Sequence, residues 1–202
     1  MRPRVLPRRG AFGLGAMAAL AGCGVLARPA YLRRTIWPIT VRHPPAVRPR
    51  VGGKVLEVRS LTAAPGLDQL GVAWLRLDGS LHVDFYQQWA VPPAEGATDA
   101  LRHWLAASGR FAAVVGPDSG VPADLVLQGE LTAFLADPAQ GVAEVALAVV
   151  LIGRRPAGSV LAQRTVTARA PLHGSGPVPI VHATLRALAE VLAEVERLTA
   201  AA

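Results

Sequence analysis

"ADLVLQGELTAFLADPAQGVAEVALAVVLIGRRPAGSVLAQRTVTAR", residues 123–169, is the stretch on which the fold turns. It divides into three apolar runs, "DLVLQGELTAFL" (124–135), "VAEVALAVVLIG" (142–153) and "SVLAQRTVTAR" (159–169). Runs of this kind bounded by Gly and Pro read as strands, and "GRRPAG" (153–158) reads as the turn between the last two.

Period-2 patterns continue upstream. "KVLEVRSL" (54–61) and "LGVAWLRL" (70–77) read as strands, and Asp78-Gly79 joins the second to "SLHVDFYQQW" (80–89). An Asp-Gly pair between two alternating runs is a strong hairpin signal. Strict alternation there puts Leu81, Val83 and Phe85 on one face and His82, Asp84 and Tyr86 on the other. "RFAAVV" (110–115) adds a further strand, and "TIWPITV" (35–41) is a candidate first strand at an edge, where Pro38 is tolerated.

Two segments follow a helical period instead. From about Gly96 to Ala107, Leu101, Trp104 and Leu105 form a stripe, and Gly109 is placed to close the helix. In "PVPIVHATLRALAEVLAEVERLTA" (177–200), Val181, Leu185, Leu188, Leu192 and Val195 make one apolar face suited to packing on a sheet. His182, beside that stripe, reads as half-buried scaffold. The class expected is α+β: an antiparallel-rich sheet of about six to seven strands with two helices packed on one face. No repeat of solenoid period is present.

Composition supports a packed domain, since 51% of the 202 residues are hydrophobic and 17% charged. The net charge of +7 is unevenly placed. Residues 1–54 hold eleven basic groups and no acid, whereas residues 55–202 hold 10 basic against 14 acidic groups, a balance of −4. A nucleic-acid binder carries its cations on the folded face. Here they lie ahead of it, which argues against a nucleic-acid partner.

"MRPRVLPRRGAFGLGAMAALAGC" (1–23) has an arginine-rich start, an apolar stretch from Ala11 to Ala21 and small residues at its end, the three parts of an export signal. Eleven apolar residues rise about 16 Å as a helix, too little to span a bilayer. Arg8-Arg9 fits twin-arginine export and general export alike. The single cysteine of the chain, Cys23, closes this segment. A folded part without cysteine has no disulfide, thiolate metal site or thiol nucleophile. Residues 24–53 are rich in Arg and Pro and read as a tether; if residues 35–41 form a strand, its free part is residues 24–34, reaching at most about 36 Å.

The chain offers little chemistry. His82 and Asp84 are two apart on a strand, but no further ligand lies near in sequence, and a metal site takes three or more. Asp99 and His103 are spaced for a surface pair on a helix. Glu130 and Glu144 are acids that folding could bring together. No motif for a zinc protease, a serine hydrolase or a phosphate loop occurs. The expectation is no enzyme, no cofactor and no metal. More informative is "VDFYQQWAVPP" (83–93), an aromatic strand that halts at two prolines. Aromatics around a rigid turn are typical anchors for a partner, which makes Tyr86, Trp89, Pro92 and Pro93 candidates for a partner-binding surface. The structural alternative has Pro92 and Pro93 end the strand and Trp89 cover the sheet edge or cap the helix.

Leu20-Ala21-Gly22-Cys23 resembles the lipobox of bacterial lipoproteins. The resemblance implies cleavage after residue 22, acylation of Cys23 and, with Gly24 following, an outer-membrane address. Residues 54–198 in turn resemble the ABC-type transport auxiliary lipoproteins, periplasmic partners of MCE-type lipid transporters. The motifs that carry this are "VLEVRSLTAAPGLD", "FYQQWAVPP", "SGRFAAVV", "ADLVLQGELTAFL" and the terminal amphipathic helix, in that order. Segment 28–50 departs from the family's short first strand. The resemblance implies a signal peptide (1–22), a lipidated tether (23–53) and an auxiliary domain (54–202). It further implies a non-enzymatic subunit on the periplasmic side of the envelope that docks an MCE-type protein and its ABC permease and ATPase. A lipid- or small-molecule-binding lipoprotein and an envelope hydrolase stand as alternatives.

Overall fold

The structure, a computed structural model, describes residues 33–45, 52–154 and 158–200. The leader, Cys23 and the centre of the "GRRPAG" turn lie outside the described residues. In chain order the strands are β1 (Thr35–Trp37), β2 (Val55–Val58), β3 (Thr62–Ala63), β4 (Gly71–Leu75) and β5 (Leu81–Trp89). Helix α1 (Pro93–Ala107) follows, then β6 (Ala113–Val115), β7 (Leu125–Asp137), β8 (Val142–Gly153), β9 (Ser159–Pro171) and helix α2 (Pro177–Ala200).

β7 is the spine of a nine-stranded sheet. Along one edge it pairs antiparallel with β8, which pairs antiparallel with β9. Along its other edge it pairs parallel with three short strands in succession: Leu56–Val58 against Leu125–Leu127, Thr62 against Glu130, and Trp74 against Ala136. β6 flanks β2 in parallel, β5 flanks β4 antiparallel, and β1 lies parallel to β5 at the edge.

This corrects the expected sheet. It is mixed rather than antiparallel-rich and has nine strands rather than six to seven, with five parallel pairings among the described residues. The cause is separation in sequence. A hairpin announces itself locally, as alternation around a turn, whereas parallel partners such as Leu56 and Leu125 share no local signal. "KVLEVRSL" yields β2 and leads into β3, a strand of two residues with no readable period. The first strand is present at the edge over Thr35–Trp37, with Pro38 immediately after it.

Both helices pack against the sheet, α2 on β8 and β9 and α1 on β6 and β7, and they touch each other. On that face Leu127, Leu131, Leu147 and Leu151 meet Leu188, Leu192 and Val195, all fully buried. Each such leucine contributes about 1.5–3 kcal/mol through apolar burial. The predicted stripe of α2 holds, except that Leu185 is half-buried and Ala183, Ala187 and Val191 complete the face. His182 is exposed. Helix α1 starts three residues earlier than expected. Pro92 is its N-cap and Pro93 its first residue, a position where the missing N–H costs nothing. Gly109 follows the helix at φ +68°, as its spacing predicts.

Candidate functional site

The β4–β5 hairpin is not regular. Gly71 pairs with Gln88 but Ala73 pairs with Val83, so Val72 alone stands opposite Asp84–Gln87. The extra residues form a bulge. The Asp84 carboxylate holds it, accepting the backbone N–H groups of Tyr86 at 2.7 Å and Gln87 at 3.0 Å. Gly71 makes the close approach possible, because a Cβ there would lie 2.3 Å from the Asp84 carbonyl oxygen. Bulges re-aim side chains. Here Phe85 is turned out to 63% exposure and Tyr86 to 39%, their rings edge to face at 5.2 Å.

Of the four residues expected at a partner surface, two are buried. Trp89 is 2% exposed and packs edge to face on Phe134 at 5.3 Å. Pro93 is buried and Pro92 half-buried at the start of α1. Trp89 is buried because β5 resumes the core-facing phase after the bulge, and Pro93 because it opens α1 against the core. Tyr86 is exposed, and so is Phe85, which alternation places on the face of Leu81 and Val83. Its signal was Asp84, a poor strand former whose side chain readily bonds backbone N–H groups two or three residues on.

The sheet face away from the helices is open. Arg59, Gln128, Glu130, Gln163 and Thr165 border a shallow hollow of about 790 Å³ there. Nearby, Glu57 is 8% exposed and bonds Arg154 at 2.7 Å and Arg59 at 3.2 Å. Glu130 stands opposite Ala148, and Glu144 opposite Leu135. The fold thus does not make these two acids a pair; Glu144 binds Arg169 at 2.6 Å.

Two of the scattered histidines, His82 and His43, find partners. His82 lies on the Trp74 ring at 4.1 Å and bonds Arg76 at 2.8 Å. It does not share a ligand site with Asp84, whose carboxylate serves the bulge. Asp99 pairs with Arg102 rather than His103. His43 joins a cluster on α2, where Glu196 accepts from Arg110 at 2.9 Å and Trp104 at 3.0 Å and meets His43 at 3.1 Å. Burial pushes the Glu196 carboxyl up, but its bonds to Arg110, His43 and Trp104 outweigh that and hold it below its ordinary value. The cluster fastens segment 38–45 across both helices. Among the described residues no group of three or more His, Cys, Asp or Glu is arranged to hold a metal. No described helix is long and apolar enough to cross a membrane.

Comparison with known proteins fits this architecture. A solved structure from Xanthomonas campestris, described as a DUF330 protein, superposes with a TM-score of 0.72 at 26% identity, covering 83% of this chain and 95% of that one. Another, described as an uncharacterized protein, superposes with a TM-score of 0.66 at 16% identity over 83% of this chain and 99% of that one, and shares the fold. No curated protein matches. The family model for the ABC-type transport auxiliary lipoprotein component matches residues 39–196, from the segment after β1 to the Glu196 cluster. The chain belongs to the ABC-type transport auxiliary lipoprotein family.

Proposed function

We propose that this protein is a lipid-anchored, non-enzymatic subunit of an ABC-type transport system that moves lipid through an MCE-type assembly. Cys23 would carry the acyl chains on the periplasmic side, with Gly24 favouring the outer membrane. Residues 1–22 would be removed as the signal peptide, and the folded unit would dock the MCE-type protein. The observation that carries this reading is family membership over residues 39–196, supported by the resemblance of Leu20-Ala21-Gly22-Cys23 to a lipobox. Acylation suits the design, since two or more chains hold a protein stably at a bilayer where one does not.

The carrier alternative requires an apolar cleft between helices and sheet. Leu56, Leu127, Leu147, Leu188 and Leu192 fill that space and are fully buried, so a docking role is preferred. Crosslinking in intact envelopes followed by mass spectrometry tests the reading. Recovery of an MCE-type protein is expected. Its absence from crosslinked material, with the lipoprotein itself abundant, would overturn the partnership.

A further inference from the structure

Exposed apolar side chains gather at one end of the sheet. Among the described residues, Ile36, Leu70, Leu77, Leu81, Phe85 and Tyr86 all belong to β1, the β4–β5 hairpin or the turn before it; only four others lie elsewhere. β1 runs beside the bulged strand, Ile36 opposite Gln88, and is 63% exposed at Ile36. The Arg34 guanidinium sits 4.8 Å over the Phe85 ring. Arg33 and Arg34 are exposed, and the compact unit begins at Arg33.

Acylation of Cys23 would keep that edge within tether reach of a membrane. Arg33 follows Cys23 by ten residues, a span of at most about 33 Å. The first acid in the chain is Glu57. Every charged side chain between the anchor and the edge is therefore cationic. Asp68 and Asp84 border the hollow beside Phe85. The Asp84 carboxylate is taken up by two backbone N–H groups and that of Asp68 accepts from Gln69. Aromatic rings with a polar tip favour the headgroup layer, and nearby arginines favour anionic lipid.

We propose that the β1–β5 edge, with Ile36, Phe85, Tyr86 and Arg34, rests in the headgroup layer of an anionic bilayer and fixes how the domain stands on its anchor. The inference rests on acylation of Cys23. Once that thiol is acylated, an introduced cysteine has no competitor, so a nitroxide at Ile36→Cys reports the edge and one at Glu190→Cys, exposed on α2, serves as control. The mature lipoprotein is placed in phosphatidylcholine vesicles with and without phosphatidylglycerol. Intact mass and flotation report the anchor; relaxation of the label by dissolved oxygen or by a water-soluble nickel chelate reports the edge.

In phosphatidylglycerol vesicles, position 36 is expected to be sheltered from nickel and reached by oxygen, and position 190 the reverse. Phe85→Ser with Tyr86→Ser loses that shelter while the protein still floats and melts at an unchanged temperature. Arg34→Glu loses only the part that depends on phosphatidylglycerol. An acylated, floating protein with position 36 as open to nickel as position 190 would overturn the membrane edge and leave the anchor standing. Shelter that appears only when an MCE-type protein is added would assign the edge to that protein and overturn the proposal. A chain that is neither acylated nor floating would overturn the anchor, and the edge with it.

Discussion

The β7–β8–β9 meander and the β1–β5–β4 edge are built from similar apolar alternation and end in opposite states. In the meander each of the two ladders registers twelve residue pairs with a single irregularity, and α2 covers one face. At the edge, four residues of β5 face one of β4, and the aromatics between them point to solvent. A long ladder beneath a helix punishes any slip, because one residue of shift moves every apolar side chain to the wrong face. β1 pairs only residues 87–89 of β5, so residues 84–86 lack a neighbour on that side, and a single well-placed acceptor, Asp84, can hold them out of phase.

Trp89→Ala attacks the contact that joins the two regions, the Trp89–Phe134 ring pair. A loss of about 3–5 kcal/mol is expected in denaturant unfolding, the usual cost of emptying a buried aromatic site. Weakened partner binding with unchanged stability would instead return Trp89 to a docking role.

Glu196→Gln sits behind the meander, in the cluster that fastens segment 38–45. The loss expected is about 1–3 kcal/mol, typical of bonds to a charged group, read as a shift of the urea midpoint. The sign with pH follows from the lowered carboxyl. Its folded value lies below the ordinary 4.5, so its stabilisation is full above that ordinary value and disappears as pH falls through the folded one. Melting temperature should therefore depend less on pH, across the acid range, in Glu196→Gln than in the native protein.

Asp84→Ala sharpens the comparison at the edge. It removes the acceptor for two backbone N–H groups and should cost about 1 kcal/mol. Amide exchange at Tyr86 and Gln87 should quicken while the meander amides stay unchanged. Phe85→Ser has the smallest expected effect, within about 0.5 kcal/mol, as for surface positions generally. A larger loss in calorimetry would mean that the ring is part of the core.

Much of the meander was legible in the residues themselves. "VAEVALAVVLIG" became β8 over Val142–Gly153, and the stripe of α2 packs as its spacing implies. The cluster at Glu196 was not legible, because His43 and Trp104 come to it from 153 and 92 positions away. The bulge was half legible: Asp84 in a strand is a local warning, but which residues it displaces depends on Gly71 across the ladder.

Local chemistry by itself determined the leader-like start, the single thiol at Cys23, the long hairpins and the faces of both helices, since each is a matter of neighbours within a few residues. Tertiary structure alone decided that β7 serves three parallel partners, that Trp89 is core and that Phe85 is surface. Those outcomes depend on register between distant strands, and register is chosen by the total burial of the sheet rather than by any one segment.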